Sequence, residues 1–163
     1  MSWTLFTMPL AEAAADPASW EWFSSLDLAR FPTEPPEAGP VLRVRDVIAA
    51  LAAVHLPGSL RAVVGVDTPF TLRHADPQLP GEGWWLGEVG IQVAGRGYGD
   101  LLEQDDAVEL VSFRKPDPGS VLRAACALAA AAPVIVFDAD FTGVVIRPGE
   151  EPDDIDPDWP RTW

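Results

Sequence analysis

The chain has 163 residues, 48% of them hydrophobic and 22% charged. That is enough apolar content and length for one folded unit with a sizeable core, and it excludes a disordered polymer. Asp and Glu number 25 against 11 Lys and Arg, a formal net charge of −14. Such a surface repels nucleic-acid phosphate and anionic lipid and attracts a basic partner, so neither nucleic acid nor membrane is an expected partner.

Cys126 is the one cysteine, so no internal disulfide can form, and a reducing, cytoplasmic setting is expected. No basic residue precedes Arg30, unlike the charged start of a secretory signal. The apolar run 124–137 contains Pro133 and falls short of the roughly 20 residues a bilayer demands. Lys115 is the single lysine among abundant Ala, Arg, Pro and Gly, which we associate with a GC-rich bacterial genome.

In chain order, residues 3–7 alternate as a first strand does. Asp16-Pro17 supplies an N-cap and a first-position proline for a helix carrying Trp20 and Phe23 and ending near Phe31-Pro32. Pro32, Pro35, Pro36 and Pro40 mark an extended connection. Val44, Val47, Ile48, Leu51 and Val54 repeat as one helix face, which His55-Leu56-Pro57-Gly58 closes. Strands are expected over 60–66, with 70–73 as a continuation, over 84–94, bent at Gly87 and Gly90, and over 108–113. Asp117-Pro118 opens a further helix, and residues 134–137 and 144–146 form a hairpin. About six strands, often adjacent in sequence, predict an α+β fold: a mainly antiparallel sheet with helices packed on one face. Residues 1–148 form the expected globular domain. Residues 149–163 form an acidic tail with prolines and tryptophans, where proline density and self-repulsion argue against any regular element; it either hangs free or is pinned by Trp159 and Trp163 folding back onto the chain's own surface.

Four apolar residues lead into Asp138-x-Asp140-x-Thr142, and this stretch resembles the first motif of the haloacid dehalogenase-like phosphatases. The resemblance implies Asp138 as the phosphoryl acceptor, Asp140 as the acid/base and Mg²⁺ as the counter-charge. That family places most of its fold after the motif, whereas 20 residues follow Gly143 here. The other account of these residues is a turn whose side chains satisfy backbone groups. Asp154-x-Asp156-x-Asp158 lacks the glycine and the twelfth-position glutamate of a calcium loop. Gly95-Arg96-Gly97-Tyr98-Gly99 has acidic neighbours and reads as a turn rather than a phosphate cradle. His55 and His74 lack ligand spacing, and Cys126 among alanines reads as a small buried hydrophobe. No metal or cofactor is therefore expected. Trp84 and Trp85 are adjacent, so on a strand they point to opposite faces, one into the core and the other either exposed or covering something.

Without a catalytic set, the expectation is an interaction protein rather than an enzyme. Residues 108–145, read as strand, helix, apolar strand, turn and short strand, resemble the bacterial immunity proteins of polymorphic toxin systems. The resemblance implies a small cytosolic protein that binds and blocks a basic toxin. Under it the expected contacts are Trp85, Glu88, Glu103, Asp105, Asp106, Asp153, Asp154 and Trp159. The alternatives are a Mg²⁺-dependent phosphatase using Asp138-x-Asp140-x-Thr142, and a domain without enzymatic activity whose acidity serves solubility.

Overall fold

A computed structural model describes residues 3–56, 58–60, 63–64, 86–97 and 100–159. The chain runs β1 (Thr4–Pro9), α1 (Leu10–Ala13), α2 (Pro17–Ser24), β2 (Leu28–Ala29), α3 (Val44–Ala53), β3 (Ser59–Leu60) and β4 (Val63–Val64). It continues with β5 (Glu88–Val93), β6 (Leu101–Leu102), β7 (Val108–Arg114), α4 (Pro118–Leu128), β8 (Val134–Phe137), β9 (Gly143–Ile146), α5 (Pro152–Ile155) and a 3₁₀ turn (Asp156–Asp158).

Among the described residues, seven strands form one sheet in the order β2-β9-β8-β1-β7-β5-β3. Its interior pairings are all antiparallel. The two-residue edge strands β2 and β3 join in parallel, and β4 pairs with β6 outside the main sheet. The fold is α+β with a mixed, mostly antiparallel sheet, as its sequence predicts.

Strand alternation divides the core in two. Leu5, Val111, Phe113, Val136, Val144 and Ile146 face α3 and α4. Those helices bury Val44, Val47, Ile48 and Leu51, and Val121, Leu122, Ala125 and Leu128. Both start on a local carboxylate: Asp46 accepts from the Arg43 N–H at 2.9 Å, and Asp117 accepts from the Ser120 N–H at 2.9 Å. Met8, Ile135, Phe137 and Val145 point the opposite way, under Trp20, Phe23 and Phe31. Thus α3 and α4 share one face, while α2 and the segment after it cover part of the other. The helices therefore do not all pack on one face as expected, because α2 packs its own aromatic residues Trp20 and Phe23 on the opposite side. Strand β8 is buried along its whole length, which is why it reads as an unbroken apolar run.

Three local expectations change. Helix α2 stops at Ser24 rather than near Phe31-Pro32. The Ser24 and Ser25 hydroxyls donate to the Trp20 and Trp22 carbonyls and compete with helix continuation, and the chain then turns into β2. The strand expected over 60–66 is described only in part, as β3 and β4, which pair in different sheets. Residues 149–159 are not irregular but contain α5 and the 3₁₀ turn. Pro152 sits at the helix start, and Asp154 accepts from the Glu151 N–H at 2.9 Å. Ile155 and Trp159 enter the α3–α4 core, so apolar burial outweighs the self-repulsion of the surrounding acids. The strand expected over 70–73, the loop over 77–83, His74, Trp84, Trp85 and Trp163 lie outside the described residues. No helix among the described residues is long and apolar enough to cross a membrane.

Candidate functional site

The β8–β9 hairpin carries the Asp138-x-Asp140-x-Thr142 sequence. One Asp138 carboxylate oxygen accepts from the Asp140 N–H at 2.9 Å and the Thr142 N–H at 3.0 Å. The Asp138 N–H donates to the Thr142 carbonyl, and the Phe141 N–H to the Asp138 carbonyl, each at 3.0 Å. Asp138 thus organises the turn, as an Asx side chain does. Asp140 is exposed beside it. Gly143 closes the hairpin against β8, where a Cβ would collide with the Val136 carbonyl and with Phe137. Among the described residues no group of three or more His, Cys, Asp or Glu could hold a metal ion.

The acidic residues expected as contacts fall into two places. Around β5–β7, Glu88 meets Arg114 at 3.5 Å, Asp105 meets Arg45 at 2.8 Å, and Asp106 meets Arg96 at 3.0 Å. Asp106 also accepts from the Glu103 N–H at 2.8 Å. That backbone bond and the Arg96 guanidinium hold the Asp106 carboxyl below its ordinary value. Glu103 is exposed at the edge of this cluster. Much of the negative charge here is balanced by the chain's own arginines. Arg96 belongs to the Gly-Arg-Gly stretch, which acts as a turn, with the Gly97 N–H donating to Asp100.

The second place is the C-terminal segment. It forms one wall of a groove of about 840 Å³, opposite the end of α3 and the side of α4. Leu122 and Ala127 contribute an apolar floor, and Glu150, Glu151, Asp153 and Asp156 an acidic wall. Arg30 donates to Glu150 at 2.7 Å and ties the segment to the chain after β2. Burial pushes the Glu150 carboxyl up, but the bonds from Arg30 and the Arg147 N–H outweigh it and leave it below its ordinary value. Asp153 is exposed, Asp154 is engaged in the α5 start, and Trp159 is 7% exposed. Trp159 therefore anchors the segment to the core instead of meeting solvent. Trp85, the remaining expected contact, lies outside the described residues.

Cys126 lines the same groove. Burial, reinforced by Glu151, Glu150 and Asp154, pushes its thiol up to about 12, the opposite of what a nucleophile needs. His55 ends α3 in the left-handed region, at φ 54°, and is exposed.

The sequence gives no direct signal for one feature of the surface. Phe141, at the hairpin tip, has φ 58° and is 36% exposed. Trp22 on α2 is 46% exposed and meets Phe141 edge-on at 5.0 Å. Phe137 and Phe23 back the pair, at 5.7 Å from Phe141 and 4.8 Å from Trp22. The nearest hint is that α2 packs Trp20, Trp22 and Phe23 into eight residues, more aromatic surface than one narrow face can bury.

No known family model, curated protein or solved structure matches the chain.

Proposed function

We propose that the protein binds and neutralises a basic protein partner, in the manner of the bacterial immunity proteins of polymorphic toxin systems. The observation that carries this reading is the uncompensated charge. Against a net −14, Arg30, Arg45, Arg96 and Arg114 are engaged in internal ion pairs, so they offer little positive potential to an approaching molecule. An acidic surface of this kind steers a basic partner into encounter and sets specificity by complementary potential. The single cysteine accords with a reducing cytoplasm as the place of action. Glu103, Asp105, Asp153 and Asp154 are the exposed members of the expected contact set among the described residues and contribute to that potential.

The test is affinity capture from a bacterial lysate at low salt, with a salt elution series and co-expression of whatever is retained. A basic protein held stoichiometrically, released by salt and rendered harmless by co-expression is the expected result. Asp153→Lys then slows association and flattens its salt dependence. Mg²⁺-dependent hydrolysis of a simple phosphate ester, abolished by Asp138→Asn, would overturn the reading in favour of a phosphatase.

A further inference from the structure

We propose that the exposed ledge made by Trp22 and Phe141 is the docking point for the basic partner, and that it takes an arginine or lysine side chain laid against the two rings. The inference rests on the basic-partner reading and assigns that reading a place.

Two large aromatic rings share one exposed edge, although burial of both would stabilise the fold. Phe141 reaches its position only through a left-handed backbone that a bulky residue adopts at a cost. Both rings stand on fixed supports. The hairpin is held by the Asp138 turn bonds, and α2 by Asp16, which accepts from the Ser19 N–H at 2.9 Å. A rigid aromatic pair loses little freedom on binding, as suits an interface anchor.

The charge around the ledge selects the occupant. Glu21 precedes Trp22, and Asp140 precedes Phe141. Asp27 belongs to the same corner, because its carbonyl accepts from the Gly143 N–H at 3.1 Å. Glu21, Asp27 and Asp140 are exposed, and none of them has an ion pair among the described residues. This contrasts with Glu88, Asp105 and Asp106 around β5–β7, which have arginine partners. An apolar partner would strip water from these carboxylates without replacing it. A guanidinium or ammonium group satisfies both parts of the ledge, its face or stem on the rings and its charge toward the acids.

The probe is a fluorescent nona-arginine peptide titrated into the full chain at several salt concentrations. Phe141→Gly removes the ring where glycine suits the backbone, so the hairpin is retained. Trp22→Ala removes the other ring from an exposed helical position, and thermal melts verify that both variants fold. Each is expected to weaken binding by roughly tenfold with the slope of affinity against salt unchanged, since the ring contribution is short-ranged. Glu21→Gln with Asp140→Asn is expected to flatten that slope. Wild-type affinity in both ring variants would overturn the ledge while leaving the basic-partner reading intact. No binding of the peptide by the wild-type chain, even at low salt, would overturn both.

Discussion

At the scale of single residues, Asp138, Gly143 and Cys126 show how position decides role. Asp138 accepts two turn N–H groups, so Asp138→Ala leaves both without their acceptor and is expected to cost about 1–2 kcal/mol in urea unfolding. A variant as stable as the wild type would mean that the turn does not depend on this carboxylate. Gly143 has no room for a side chain beside β8, and Gly143→Ala is expected to cost about 3 kcal/mol, measured the same way. The Cys126 thiol, raised to about 12 by burial and neighbouring acids, stays protonated throughout the neutral range. Its alkylation by iodoacetamide at pH 8 should be far slower than that of a free thiol. Fast labelling in the folded protein would contradict the burial assigned to it. The sequence already allowed an Asx turn at Asp138, because the side chain bonds within a few residues of itself. It gave no hint that Phe141 meets Trp22, since that contact depends on β2 joining β9.

At the scale of elements, local signals were legible and distant ones were not. Asp117-Pro118 marks the start of α4 because an N-cap acts over three residues, and the apolar spacing of α3 reports its buried face directly. Asp117→Ala is therefore expected to cost about 1 kcal/mol, checked by denaturant midpoint. The C-terminal segment misleads because its acids and prolines are visible in sequence, whereas the core that receives Ile155 and Trp159 is not. Arg30, 120 residues from Glu150, is equally invisible as its partner. Folding lowers the Glu150 carboxyl, so its contribution is complete above the ordinary glutamate value and is lost as pH falls below that value, through the folded one. Acidification should thus loosen the segment before the sheet unfolds, and Arg30→Ala should do so at neutral pH. Accelerated Cys126 labelling reads the Arg30→Ala variant, because Cys126 lies in the groove that this segment walls. Amide hydrogen exchange over residues 149–159 reads the acid effect, since alkylation itself slows as the thiolate is lost.

For the whole molecule, charge and topology make separate demands. A net −14 repels itself, and salt screens that repulsion over a Debye length of about 10 Å at 0.1 M. Thermal stability is expected to rise with added NaCl in the sub-molar range, and a falling midpoint would show that the internal ion pairs outweigh the net repulsion. The α+β class was legible because strands adjacent in sequence favour antiparallel pairing, as in β8–β9. The placement of β1 was not, because a strand's sequence records which of its faces is buried and not which strands flank it.

That placement bears on how the chain is made. Strand β1 leaves the ribosome well before its neighbours β7 and β8, whose paired residues are synthesised about a hundred or more residues later. Until Arg114 has emerged, both edges of β1 lack their native partners, and one edge stays open until Phe137 follows, so the nascent chain carries an unsatisfied apolar strand throughout that interval. Fragments ending before β8 are released with β1 half-paired, so quality control meets the products of premature termination as exposed strand edges rather than as smaller folded proteins.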